Sequence, residues 1–313
     1  MNWYSFTPQD TLFFRGAESA EMGADHSAST LFPPPVQTIM GALRTAVLMQ
    51  NAIPFSEYTG SSFNNETIIS SIGKSDDPSP FAITGPLFME DDNVYVPAPY
   101  SWFMDENKSK GKRGNNHVTK DVSVLKSETL SSRLFVSDDV LEWTRGKDLQ
   151  TMGGKWIQVN SLREETVTLY DLNYFAEPEV RTGIALRGRS VREGHLYSFR
   201  HYRLKPGIQL LFGVDKDLPI AEKGTLRLGA EKRFGEYNHL KDISIQHKGG
   251  TGKYMSLSII EGSSEVKESV VATGKPQYIG GWDMKKRFHK PMKGYFPAGT
   301  VLREAINNNC IEL

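Results

Sequence analysis

The sequence predicts an α+β protein of two halves, each an antiparallel sheet carrying helices on one face. Three observations lead there. The 313 residues are about twice the usual length of one domain. The 28 glycines and 16 prolines are spread along the whole chain and break the apolar residues into short runs, the texture of many strands joined by turns. One strand-helix-strand unit opens the chain, and the second half is almost wholly strand-like.

Trp3 to Phe6 and Thr11 to Arg15 read as short strands around a Pro8-Gln9-Asp10 turn. The clearest helix follows Pro33-Pro34-Pro35. From Val36 to Gln50, apolar residues fall at Val36, Ile39, Met40, Leu43, Val47 and Leu48, the rhythm of an amphipathic helix whose start is set by proline. Arg44 sits on or beside its polar face. Phe81 to Met89 and Asn93 to Pro97 form a predicted hairpin across Glu90-Asp91-Asp92, continuing to Trp102. Residues 105–120 hold a single apolar residue, Val118, too little to bury, and are expected to form an exposed basic insert. Ser137 to Gly146 fits a short helix. Beyond residue 150, taken as the boundary between halves 1–150 and 151–313, strands are expected at Thr166 to Leu172, Leu196 to Leu204, Ile208 to Val214, Thr225 to Leu228, Tyr254 to Ile260, Tyr278 to Trp282 and Thr300 to Arg303.

Thirty-seven basic residues balance 37 acidic ones, so overall charge excludes a uniformly basic nucleic-acid binder. A single cysteine, Cys310, excludes an intrachain disulfide and a multi-thiolate metal site, which fits a reducing compartment. With neither a secretory leader pattern nor an apolar run of membrane-spanning length, the cytoplasm is expected.

Charge counted in windows gives a different picture. Residues 108–126 hold six cations against one carboxylate, 181–205 seven against one and 281–303 six against one, so these windows carry +16 and the rest of the chain −16. The second is interleaved with Tyr197, Phe199, His201 and Tyr202, the third with Trp282, Phe288, His289 and Tyr295. Cations for phosphates beside rings for unpaired bases form the pattern of single-stranded nucleic-acid binding. Gly280-Gly281 would let backbone N–H groups approach a phosphate, and residues 184–200 read as a protruding hairpin with a basic tip.

Catalytic patterns are scarce. Gly249-Gly250-Thr251-Gly252-Lys253 has His247 where a phosphate loop needs glycine and Tyr254 where it needs a hydroxyl partner, so it reads as a turn. Neither a Gly-x-Ser-x-Gly elbow nor a His-Glu-x-x-His site occurs. His26 and His289 are the candidates for a general base in metal-free RNA cleavage, and donating a hydrogen bond to RNA is the favoured role for both.

Several segments resemble one family in the same order. Asp10-Thr11-Leu12-Phe13-Phe14-Arg15 and Leu31-Phe32-Pro33-Pro34-Pro35-Val36-Gln37-Thr38-Ile39-Met40-Gly41-Ala42-Leu43-Arg44 closely resemble the start of the third subunit of the Cmr complex, a RAMP-superfamily protein of type III-B CRISPR effectors. Arg181-Thr182-Gly183-Ile184-Ala185-Leu186, Glu193-Gly194-His195-Leu196-Tyr197-Ser198, Leu204-Lys205-Pro206-Gly207, Leu226-Arg227-Leu228-Gly229-Ala230-Glu231, Gly280-Gly281-Trp282-Asp283 and Pro297-Ala298-Gly299-Thr300-Val301 continue the series. The resemblance implies two ferredoxin-like (RRM-like) halves with long loops and a β-hairpin thumb. It implies a non-catalytic subunit that holds the 5′ handle of the guide RNA (crRNA), with thumb contacts to the guide–target duplex. It also implies docking on a large polymerase-like subunit beside RAMP backbone subunits; neither a cofactor nor a metal is expected.

Carried onto this sequence, the resemblance places Arg15 and Arg44 near the RNA backbone, Arg187, Arg189 and Arg192 on the thumb, and Lys285, Lys286 and Arg287 after Gly280 and Gly281. His26, Arg200, His289, Lys290 and Lys293 complete the expected RNA-binding set. The rival expectations are a metal-independent endoribonuclease that matures the guide and a mainly structural scaffold.

Overall fold

A computed structural model of the chain describes residues 1–14, 26–28, 30–109, 114, 116–126, 134–135, 145–146, 148–243, 245, 249–283, 285–286, 288–306 and 309–313. The fold is α+β with antiparallel sheets. Its centre is a nine-stranded sheet whose neighbours are all antiparallel, in the order Lys223–Arg227, Phe234–Leu240, Asn2–Pro8, Ile208–Val214, Ile83–Glu90, Asn93–Pro97, Trp156–Gln158, Thr166–Tyr170 and Val118–Ser123. Strands from both sides of residue 150 share this sheet, and the opening strand lies between two strands of the second half.

The helix α1 (Val36–Gln50) forms where the periodicity predicts. Pro35, with φ −59° and ψ 143°, supplies the extended residue before it. Its buried stripe, Ile39, Ala42, Leu43, Ala46, Val47 and Leu48, packs on the strands Ile83–Glu90 and Lys223–Arg227. Ile83–Glu90 is buried along nearly its whole length because the sheet is covered on both faces there. Phe88 stacks on Phe175 with ring centroids 4.3 Å apart, and Trp156 and Tyr95 meet the same Phe175 edge-on. The helix α2 (Phe55–Tyr58) and the helix α3 (Glu66–Ile72), capped by Asn65, complete the first half's helical layer.

Two hairpins leave this body. The long hairpin pairs Ala176–Arg187 with Ser190–Leu204 across a two-residue Gly188-Arg189 turn, and Gly188, φ 65°, supplies the left-handed conformation such a turn needs. The short strand His26–Ala28 runs parallel beside Tyr197–Phe199. The second, the glycine hairpin, pairs Gln277–Asp283 with Phe288–Phe296, and Tyr295 and Phe296 pair in turn with Ile260–Glu261. Beneath it Ile260, Val266, Val270, Phe296 and Leu302 form a small core of their own.

Some expected elements differ. The insert at 105–120 is not a free arm throughout: Glu106–Ser109 is a helical turn, and Val118 opens the edge strand of the main sheet because Val118 and Val122 both reach the core. Leu12 makes an isolated bridge to Tyr202 in place of a strand from Thr11. Tyr254 to Ile260 is not one strand but two short ones, Tyr254–Ser256 and Ile260–Glu261, in different sheets. Of the short helix expected at Ser137 to Gly146, residues 137–144 lie outside the described residues, and Arg145–Gly146 pairs as strand with Leu134–Phe135.

Candidate nucleic-acid interface

The basic window 181–205 falls on the long hairpin, and its inner part is consumed by the protein. Arg181 and Arg203 both bind the carboxylates of Asp10 and Glu179, at 2.8–3.1 Å for the nearest contacts of each pair, and Arg233 joins them on Asp10 at 2.5 Å. Three guanidiniums thus share one aspartate. Burial alone would raise the Asp10 pKa, but the Thr11 N–H with the Arg181 and Arg203 guanidiniums outweighs it and holds the carboxyl well below the usual range. Glu179 is lowered too, by Arg203 first and then Arg181.

Phe199, His201 and Tyr202 of this window are also occupied. His201 is fully buried, with Nδ1 3.1 Å from Thr11 Oγ1, and burial pushes its pKa down. Phe13 packs against both Phe199 and His201, at 5.0 and 5.1 Å between centroids, and Tyr202 stacks on Phe32 at 4.7 Å. The sequence expectation that these rings are offered to bases is therefore corrected: Phe199, His201 and Tyr202 fasten the hairpin to the segments 11–14 and 31–33. Between the Glu179–His201 and Arg181–Phe199 pairs, Val180 opposes Arg200, both exposed, and at the tip Arg189 stands exposed in the turn. The backbones of Arg187 and Arg192 lie in the two strands of the hairpin, and that of His26 in the strand beside it.

The glycine hairpin is the opposite case. From Phe288 to Lys293 every residue of its outer strand is exposed, including His289, Lys290 and Lys293. Lys285 and Lys286 lie in the connection between the strands, also exposed. Lys293 reaches Glu261 at 2.7 Å, and Lys285 reaches Asp76 at 2.5 Å. Tyr295, at the base, is buried, and the Gln37 side chain hydrogen-bonds its hydroxyl. Gly280 sits in the bulge between Ile279 and Gly281. Of the remaining expected residues, Arg15 and Arg287 lie outside the described residues.

Arg44 is half-buried and turned toward the protein. Its guanidinium donates to the Tyr58 hydroxyl and to the Lys74 carbonyl, and lies 5.7 Å from the centre of the Tyr58 ring. The Tyr58 hydroxyl in turn donates to the Gly73 carbonyl at 3.0 Å. Two residues beyond Lys74 stands Asp76, which holds Lys285. The structure therefore joins α1 to the glycine hairpin through the 73–76 loop, a link the sequence pattern did not show.

Comparison with known sequences now bears on these hairpins. The chain matches the CRISPR-associated protein family Cas_Cmr3 over residues 4–249 and 244–303. It belongs to the Cas_Cmr3 family. The first matched stretch contains α1 and the long hairpin, and the second contains the glycine hairpin. Among solved structures, the fold is similar to a chain of the cryo-EM structure of the type III-B Cmr-beta bound to cognate target RNA. The identity is 17%, with a TM-score of 0.56, covering 96% of this chain and 86% of that one. A second similar chain comes from the type III-B Cmr-beta bound to cognate target RNA and AMPPnP, at 17% identity and a TM-score of 0.55, covering 96% of this chain and 85% of that one. No match emerges among curated protein sequences. The Cas_Cmr3 assignment bears out the resemblance read from the sequence.

Beyond the expected set, Tyr278 and Met292 stand exposed on the glycine hairpin, and Asp76 links it to α1.

Proposed function

We propose that this Cas_Cmr3 protein is a non-catalytic subunit of a type III-B CRISPR effector, and that it binds the 5′ handle of the guide RNA. The observation that carries the reading is the glycine hairpin: four lysines and a histidine on an exposed ribbon, with aromatic side chains between them and α1 tied to its connection. Lysines there neutralise phosphates and fix register, while rings and backbone groups meet bases. The long hairpin, carrying Arg187, Arg189, Arg192 and Arg200, reaches the guide–target duplex as a thumb. The large polymerase-like subunit and the RAMP backbone subunits are the protein partners.

The experiment is handle-RNA binding by the purified chain across a salt series. Each phosphate neutralised on a single strand adds about 0.7 to the slope of log affinity against log salt. A slope near zero, or an affinity unmoved by replacing Lys286 and Lys290 together, overturns the proposal. His289, exposed on the same ribbon, keeps the endoribonuclease alternative specific. Chelator-resistant cleavage of labelled precursor RNA at a defined position, lost on His289→Ala, would establish that activity instead.

A further inference from the structure

Negative charge gathers in the first third of the chain. Residues 1–107 hold 13 carboxylates against three lysines and arginines, Arg15, Arg44 and Lys74, so −10 of the −16 carried outside the three basic windows lies there. Between Arg44 and Lys74, the 29 residues 45–73 hold neither lysine nor arginine and only two carboxylates, Glu57 and Glu66. This stretch builds the end of α1 with α2 and α3, and much of it faces solvent, including Phe55, 45% accessible. An outer face normally carries charge of both signs, and depletion of charge marks the centre of protein interfaces.

Between α2 and the start of α3 this face opens into a hollow of about 490 Å³. Ser56, Ser62 and Asn64 line it with hydroxyls and an amide, Glu57 adds the one charge of the lining, and Phe63 adds its one ring. Tyr58 meets Phe63 edge-on, with centroids 5.4 Å apart, and the Tyr58 hydroxyl is anchored on the Gly73 carbonyl, so the ring wall is held in place. Asn65 uses its side-chain oxygen to cap α3 at the Ile68 N–H. Among the described residues Glu57 has no ion pair. The cations that do reach this part of the molecule go elsewhere, Lys216 to the Ser70 carbonyl and Lys285 to Asp76.

The lining indicates the occupant. Small-molecule pockets are walled mainly by apolar groups, which this hollow lacks. A phosphate would meet the Glu57 carboxylate with no lining cation to offset it. A cationic side chain satisfies every wall: an ion pair with Glu57, donors for the Ser56, Ser62 and Asn64 oxygens, and positive charge against the Phe63 ring. We infer that the hollow is a socket for a lysine or arginine side chain of a neighbouring protein subunit, which docks on the acidic, cation-free face around it. Long-range attraction to that face favours a basic partner surface, and Phe55 beside the socket offers apolar contact. The inference rests on the reading of this chain as an effector subunit with protein partners. It assigns the helical layer to protein, and leaves the glycine hairpin to RNA.

The test measures association of the purified chain, without RNA, with the large polymerase-like subunit and with a RAMP backbone subunit in turn. Glu57→Arg reverses the charge of the socket and Ser62→Trp fills it. Both positions are exposed, so melting temperatures should match the parent's. Each variant is expected to weaken association with one of the two subunits about tenfold or more, and the effect of Glu57→Arg should shrink as salt rises. Glu304→Arg, the same charge change at an exposed carboxylate outside this layer, is expected to associate as the parent does. Handle-RNA affinity should be the same in all of them. Socket variants that associate with both subunits as tightly as the parent would overturn the socket and leave the effector-subunit reading standing. An equal loss in Glu304→Arg would make the attraction general, which also overturns the socket. A parent that associates with neither subunit would overturn the reading of its partners and the socket with it. Loss of handle-RNA affinity with subunit association intact would put RNA in the hollow, again overturning the socket.

Discussion

The long hairpin and the glycine hairpin have the same texture in sequence, cations interleaved with aromatics and glycine, yet the structure treats them in opposite ways. At the base of the long hairpin Arg181 and Arg203 are neutralised by Asp10 and Glu179, and the rings are packed against Phe13 and Phe32. On the glycine hairpin the outer strand is exposed from end to end of its distal part, and its rings face solvent. The difference lies in what stands next to each ribbon. The long hairpin springs from the middle of the main core, where chain segments far away in sequence supply carboxylates. The glycine hairpin rests on a five-residue core, and Glu261 and Asp76 each take one of its lysines. A basic window in a sequence therefore marks a binding surface where its side chains stay exposed, as Lys285 and Lys293 do even with one carboxylate partner each, and not where they are drawn into a shared network on the body.

The largest effect should come from removing the carboxylate at the centre of the first hairpin's network. Asp10→Ala leaves Arg181, Arg203 and Arg233 facing one another without their shared partner. Because the network is partly exposed, the expected loss is about 2 kcal/mol of unfolding free energy in a urea titration, below that of a fully buried pair. The pH dependence has a definite sign. With its folded pKa held below the unfolded value of about 3.9, Asp10 contributes fully above that value and progressively less as pH falls through the folded pKa. The parent should therefore lose stability on acidification below about pH 4, and Asp10→Ala should show a flatter profile there. A variant as stable as the parent, with the same acid limb, would mean the network is surface decoration.

Next in size is the contrast in RNA affinity between the two ribbons. Lys286→Gln with Lys290→Gln should lower handle-RNA affinity about tenfold or more and reduce the salt slope by about 1.4, two single-strand phosphates' worth. Arg181→Gln and Arg203→Gln should leave the slope where it is, because those charges are already neutralised by Asp10 and Glu179. Equal slopes lost from both hairpins would erase the comparison.

How far the sequence shows this division depends on the range of the interactions. The helix α1 was legible residue for residue because proline and a 3.6-residue rhythm are local signals. The hairpin of Ile83–Glu90 with Asn93–Pro97 was legible from its acidic turn. Of Ala176–Arg187 only the outer end, within the hairpin expected at 184–200, is legible, since Pro178, Gly183 and alternating charges interrupt any apolar period before it. Phe288–Phe296 was missed for a related reason: a ribbon exposed on both faces has no buried side to impose alternation, and Pro291 lowers its strand propensity. The pairing of Arg181 with Asp10, 171 residues away, is invisible to any window count. Gly280 and Gly281 are legible only as letters, because a close approach to phosphate and room beside a projecting side chain leave the same letters.

A smaller effect tests the link between α1 and the glycine hairpin. Arg44 spends its guanidinium on Tyr58 and the Lys74 carbonyl, so it acts on RNA through the loop that carries Asp76. Arg44→Ala should weaken handle-RNA binding about threefold with no change in salt slope. Its effect should be non-additive with Asp76→Asn, because both break one chain of contacts. A slope reduced by about 0.7 together with strict additivity would show Arg44 touching a phosphate directly, as its place in the first-helix motif implies.

The smallest expected change separates the two meanings of glycine. A Cβ at Gly281 meets only the flexible stem of Lys290 at 3.4 Å, whereas one at Gly235 would stand 2.3 Å from the Thr7 carbonyl oxygen. Gly281→Ala should therefore leave stability within about 0.5 kcal/mol of the parent, since ordinary contact replaces empty space and alanine loses less backbone entropy on folding. If glycine is there to keep a gap open beside Lys290, the same variant should still bind RNA two- to threefold more weakly, with its salt slope intact. A melting temperature that drops by many degrees would instead make Gly281 a packing residue like Gly235, and the glycine hairpin would then differ from the rest of the molecule in its charge alone.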